Sequence, residues 1–204
     1  MASLSKFENL FRTSDSPRDK FLSRLFGIFS EDIVRFWCTS PDSPYENLGR
    51  PTIKRPDGSG GRGCTLDFTF RSRTDGRVYI GEMKCELEYQ AYRFLTLESP
   101  AQLKHHSLEA FNVFLDVAKN PANYLVTVNG ISQSVDGSIL VWGRVTEQGR
   151  KSVIEKHGLS AILTIEEIIN DLLIWENQEF VEFVNKREKW CQELFAGLRD
   201  LRVG

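Results

Sequence analysis

The chain has 204 residues, of which 41% are hydrophobic and 26% charged, and its formal net charge is −2. That length suits one domain with a substantial core, and the near-neutral charge excludes a generally basic protein that coats nucleic acid. No apolar run reaches the roughly 20 residues of a membrane span, and the N-terminal MASLSKFENLFRTSD lacks the apolar stretch of a signal peptide, so a cytoplasmic protein without a membrane partner is expected.

Residues 1–48 read as N-terminal helices. Ser16-Pro17-Arg18-Asp19 has a capping serine, a proline at the first helical position and an acid in the first turn. Phe21, Leu22, Leu25 and Phe26 follow at helical spacing; Gly27 and Ser30-Glu31-Asp32 then predict a break and a second helix through Ile33, Val34 and Trp37. In that second helix Glu31 is a first-turn acid, favourable to the helix dipole.

Residues 49–175 read as an α/β core. A short strand is predicted over 49–54, followed by the glycine-rich connector 57–63. The connector is not a phosphate-binding loop, because no Gly-Lys-Ser/Thr closes it and a strand follows instead of a helix. Ser99-Pro100 opens a predicted helix to about Lys119, with Leu103, Ser107, Ala110, Phe111, Phe114 and Ala118 as its buried stripe. Tyr124–Val128 fits a buried central strand. Further strands are predicted at Ser138–Trp142 and Ala161–Thr164, and helices over 147–157 and Ile165–Ile174. Residues 176–204 carry a C-terminal helix whose broad apolar face (Phe180, Val181, Phe183, Val184, Trp190, Leu194, Leu198) suits a core or a dimer surface, which leaves a homodimer open. Cys38, Cys64, Cys85 and Cys191 have no C-x-x-C spacing, so free thiols are expected. Strands joined by crossover helices give an α/β fold with a central mixed β-sheet flanked by helices.

The stretch that organises this core is GCTLDFTFRSRTDGRVYIGEMKCELEYQ, from Gly63 to Gln90. Residues 65–73 and 77–85 predict two strands, and Asp75-Gly76 is a signal for a two-residue type I′ turn. Counting outward from that turn puts Thr74 opposite Arg77, Thr69 opposite Glu82 and Asp67 opposite Lys84. Side chains alternate along a strand, so Asp67, Glu82 and Lys84 share one face while Leu66, Phe68, Phe70 and Met83 take the other. Two carboxylates beside an ammonium suit a hard divalent cation, which takes oxygen ligands and commonly one or two carboxylates. Such a cation activates water and neutralises charge on a phosphodiester, and Lys84 would stabilise developing negative charge. The plain alternative is a cross-strand salt bridge on a solvated face.

This constellation resembles the PD-(D/E)XK nuclease superfamily, the restriction-endonuclease-like fold, in which an Asp near the start of one strand is followed by Glu-x-Lys on the next. Here those positions are Asp67 and Glu82-Met83-Lys84, with Leu66 where the name-giving proline would stand. The resemblance implies a metal-dependent nuclease using Mg²⁺ or Mn²⁺, with Asp67, Glu82 and the Met83 carbonyl as ligands and DNA as the expected partner. It also implies a helical glutamate reaching the site, for which Glu31 is the candidate, and in some relatives a glutamine, for which Gln90 and Gln102 are candidates. Arg50 to Arg77 holds seven basic residues and three acidic ones, and Arg62, Arg71 and Arg73 are the expected phosphate contacts. A catalytically silent module of the same fold, binding nucleic acid or a protein, is the alternative. A small-molecule phosphohydrolase is a third reading, which no nucleotide-recognition motif supports.

Overall fold

A computed structural model describes residues 5–56, 63–85, 87–88, 90–106 and 108–201 of the chain. It opens with α1 (Lys6–Phe11) and α2 (Ser16–Thr39), followed by β1 (Tyr45–Asn47), β2 (Pro51–Lys54), β3 (Cys64–Thr65), β4 (Phe68–Ser72), β5 (Val78–Lys84) and β6 (Thr96–Leu97). A 3-10 segment (Pro100–His105) leads into α3 (Glu109–Lys119), and then come β7 (Leu125–Val128), β8 (Ile131–Gln133), β9 (Gly137–Trp142) and β10 (Arg144–Val145). The chain closes with α4 (Glu147–His157), β11 (Ala161–Thr164), α5 (Ile165–Ile174) and α6 (Gln178–Asp200).

The central sheet has the order β1-β4-β5-β9-β11. β1, β4 and β5 run antiparallel in turn; β9 is parallel to β5, and β11 is parallel to β9. β9 is buried along its whole length, as a middle strand with both faces covered requires. On one face Ile80, Leu140, Trp142 and Ile162 pack with Phe111 and Phe114 of α3 and Val153 of α4. On the other, Phe68, Phe70, Ile139 and Val141 pack with Ile33 and Trp37 of α2, Ile165 and Leu172 of α5 and Phe183 of α6. The expected mixed sheet flanked by helices is therefore present. It begins before residue 49, because Tyr45–Asn47 pairs with β4. All four cysteines are free thiols, and burial pushes Cys38 and Cys85 up to about 12.

Several predicted elements change on folding. α2 runs through Gly27 unbroken, with Asp15 rather than Ser16 as its cap. A mid-helix glycine costs only about 1 kcal/mol relative to alanine, which the buried stripe of Phe26, Ile33, Val34 and Trp37 outweighs. The helix predicted from Ser99 is split: Gln102 accepts hydrogen bonds from the Glu98 and Ser99 N–H groups and donates to the Arg93 and Thr96 carbonyls. His106 then turns inward against Phe111 and Trp142, and the α-helix starts only at Glu109. β7 is not in the central sheet. It belongs to a second, antiparallel sheet ordered β3-β2-β7-β8, with Val126 and Val128 buried and Leu125 exposed. Its apolar run is one-sided, not buried on both faces.

Candidate active site

The hairpin places the site. β4 and β5 pair with Phe68 opposite Gly81 and Arg71 opposite Val78, and the Ser72 N–H donates to the Arg77 carbonyl at 2.8 Å. The loop is therefore Arg73–Gly76, four residues rather than the two expected. A type I′ turn needs positive φ at both central residues, and here Gly76 has it (φ 74°) but Asp75 does not. The Ser72 hydroxyl instead accepts the Thr74 and Asp75 N–H groups, both at 3.3 Å. The register consequently moves by two residues. An even shift keeps every side chain of the ladder on its face but changes the partner: continuing the ladder past Phe68 brings Asp67 opposite Glu82, where Lys84 was expected.

Asp67 sits where the ladder gives out. The Leu66 N–H donates to the Pro51 carbonyl of β2, so the chain crosses from the second sheet to the central one at this aspartate. The bend interrupts the alternation, and Leu66 is buried with Ile80 and Phe111 on the α3 side rather than with Phe68 and Phe70. Met83 thereby loses its partner on β4. Its N–H donates to Asp67 Oδ2 at 2.9 Å, the side chain standing in for the missing backbone acceptor. In a strand the carbonyl of a residue points to the same neighbour as its N–H, so the Met83 carbonyl also faces this gap.

Glu82 and Lys84 project from β5 toward α3. Lys84 Nζ donates to Glu82 Oε1 at 2.6 Å and stands 5.5 Å from the Phe111 ring centre, an arrangement in which the ring face attracts the cation. Glu82 is only 6% exposed. Burial pushes its carboxyl above the ordinary glutamate range; the Lys84 hydrogen bond pulls it down, and the Asp67 carboxylate raises it further. Arg50, which precedes β2, completes the cluster. Its Nε donates to the Leu66 carbonyl at 3.3 Å and its Nη2 lies 3.4 Å from Asp67 Oδ1. More than half of the Arg50 side chain stays exposed, so one edge of the guanidinium holds the bend while the rest faces solvent.

The structure thus brings together Asp67, Glu82, Met83 and Lys84 and adds Arg50. The other expected residues lie elsewhere. Glu31 is on α2, across the sheet from Glu82, with its carboxylate 2.8 Å from Arg35. Arg71 pairs with Glu46 at 3.0 Å, about 13 Å along β4 from Asp67 at the usual strand rise. Arg73, in the loop beyond it, donates to the Cys38 carbonyl at 3.1 Å. Gln102 is held by its backbone partners, and Gln90 lies in a left-handed run with Ala91 and Tyr92. Arg62 lies outside the described residues. Among the described residues no three His, Cys, Asp or Glu side chains form a metal cage. The oxygen donors at the bend are two carboxylates and one backbone carbonyl, a partial set that suits a hard cation completed by water and substrate oxygens. The chain matches no family model, no curated protein and no solved structure.

Proposed function

We propose that the chain is a divalent-metal-dependent nuclease hydrolysing phosphodiester bonds, with DNA as the first substrate to test. The observation that carries this reading is the Asp67 carboxylate lying against Glu82 at the bend where β4 leaves the ladder, beside Lys84 and the Met83 backbone. Asp67, Glu82 and the Met83 carbonyl would hold Mg²⁺ or Mn²⁺. When bound, the cation supplies Lewis acidity toward a phosphoryl oxygen and a water of lowered pKa. Lys84 carries the positive charge that meets the developing oxyanion, in a partly desolvated position that strengthens it. Arg50 presents its free edge to a phosphate. The resemblance to the PD-(D/E)XK pattern supports the same assignment, Asp67 preceding one strand and Glu82-Met83-Lys84 lying on the next.

One observation favours a second reading. Lys84 already neutralises Glu82, and Arg50 lies against Asp67, so the cluster is charge-balanced without any cation. A catalytically silent module that binds nucleic acid or a protein fits that balance. Cleavage of DNA and RNA substrates in Mg²⁺ or Mn²⁺, and its loss in chelator, separates the two.

Two expected outcomes follow from the geometry. Glu82 must be ionised to hold a cation, and its carboxyl titrates above the ordinary range. Mn²⁺ affinity, measured by titration calorimetry, is expected to fall with decreasing pH starting from a higher pH than an unperturbed glutamate would set. For the metal-free fold, a carboxyl with a folded pKa above its unfolded one makes stability fall as pH rises through that window; Glu82→Gln removes this slope. A flat Mn²⁺ affinity down to about pH 4.5 would contradict the assignment of Glu82. Arg50→Gln is expected to change stability by less than about 1 kcal/mol, as exposed pairs do. It should weaken nucleic-acid binding and reduce the salt slope by about one; an unchanged slope would remove Arg50 from the phosphate path.

A further inference from the structure

Helix α6 is anchored at its start and bare along the rest of one face. Phe180 and Phe183 are buried, whereas Trp190, Leu194, Leu198 and Leu201 are 54%, 58%, 55% and 72% exposed. Val184, Arg187, Cys191, Leu194, Leu198 and Leu201 are spaced three and four residues apart in alternation, the 3.5-residue period of a seam that meets another helix. The opposite face carries the Glu182–Lys186 and Lys189–Glu193 pairs, as an outward helix surface should. Arg187, the one charge in the seam, lies 3.5 Å from Asp32 and 4.0 Å above the Phe183 ring. Its charge is compensated within the chain, so the seam does not ask for an acidic partner. On the neighbouring α2, Phe21 and Ile28 are 49% and 80% exposed, and Phe21 lies beside Phe195 of α6.

We infer that this α2–α6 face is the contact between two copies of the chain. Past Phe183, α2 of the same chain meets α6 at Arg187 and Phe195, and for the side chains left bare the face itself supplies a helical partner: a two-fold axis would set the α2–α6 pair of one protomer against that of the other, a closed and self-complementary arrangement. At these exposures the apolar side chains of the face present several hundred Å², the scale of the roughly 800 Å² that each partner of a standard specific interface buries. The face lies across the sheet from Glu82 and Lys84, so pairing leaves them uncovered and the contact does not depend on the chemistry of that site.

Sedimentation of the full chain over a concentration series tests this without reference to any activity. The wild type is expected to be a dimer at micromolar concentration. Ile28→Glu on α2 and Leu194→Glu on α6 should each weaken the dimer by on the order of a hundredfold or more, the loss expected when a buried interface centre is disrupted, with unchanged circular dichroism. Ile131→Glu on β8 replaces an equally bare residue (64% exposed) away from the face and should leave the dimer intact. A wild type that is monomeric up to about 100 μM, a concentration that excludes a Kd tighter than that, would overturn the inference, as would a dimer indifferent to both helix variants. Flotation with phosphatidylcholine vesicles while the chain is monomeric in solution would overturn it too, by giving the face to lipid.

Discussion

Replacing Lys84 by methionine is expected to lower metal-dependent cleavage by on the order of a hundredfold or more, the scale seen when one electrostatic partner of a transition state is removed, while Mn²⁺ still binds. Methionine keeps an apolar chain against Phe111 and deletes the ammonium that stands 2.6 Å from Glu82. None of the proposed oxygen ligands is touched, and loss of a nearby positive charge should tighten metal binding. The metal-free variant should also melt lower, because Glu82 is left buried beside Asp67 without its counter-charge; breaking a buried pair costs about 3–5 kcal/mol, and less here because Lys84 retains some exposure. Divalent metal should restore part of that stability. Cleavage at the parent rate by a folded variant would take Lys84 out of the chemistry.

Gly81→Ala should produce the largest loss of stability from a single methyl group near the site. Gly81 faces Phe68 across the ladder, and a Cβ there would stand 2.4 Å from Phe70 Cε2 and 2.9 Å from Phe68 Cβ. Both rings are fully buried and stack 5.3 Å apart, so neither can move without disturbing the α2 side of the core. Overpacking of this kind costs about 1–3 kcal/mol, and the melting temperature should drop by about 3–10 °C for a chain of this size. Displacement of β5 would also shift Glu82, the next residue. Gly27→Ala is the matching control: a Cβ there meets nothing within 4 Å, and the exposed helical glycine gives up about 1 kcal/mol to alanine, so this variant should melt higher. A Gly81→Ala protein as stable as the parent would mean that the Phe68–Phe70 layer is loosely packed.

The faces of the hairpin were legible in the sequence because alternation has a period of two and survives any even change of register. The partner of Asp67 was not. It depends on the loop, and the Ser72 hydroxyl, which reads as an ordinary strand residue, captures the turn N–H groups and lengthens it. Leu66 was misplaced because alternation assumes an unbroken strand, whereas the chain changes sheet at Asp67. That change is set by β2 and β3, whose pairing is non-local, and it is also what brings Arg50 to the site. The signal for Arg50 was present in the strand pattern at Pro51–Lys54, but it needed the pairing of Thr52 with Thr65 to become spatial. Glu31 shows the converse. Its distance from Glu82 follows from which side of the sheet α2 covers, and local pattern does not encode that. Strands β9 and β11 and helices α4 and α5 were legible because their apolar runs are short, dense and bounded by caps.

Cleavage by the wild type and by Asp67→Asn, assayed side by side on mixed DNA and RNA substrates with Mg²⁺, Mn²⁺ or chelator, tests the central claim most directly. Asparagine nearly preserves the shape and can still accept the Met83 N–H, but it takes a full negative charge from the proposed hard-cation site. The expected result is cleavage by the wild type in Mg²⁺ or Mn²⁺, none in chelator, and a folded Asp67→Asn protein that has lost both the cleavage and most of its Mn²⁺ affinity. A wild type that cleaves nothing across the panel, or an Asp67→Asn protein that cleaves as well as its parent, would contradict it.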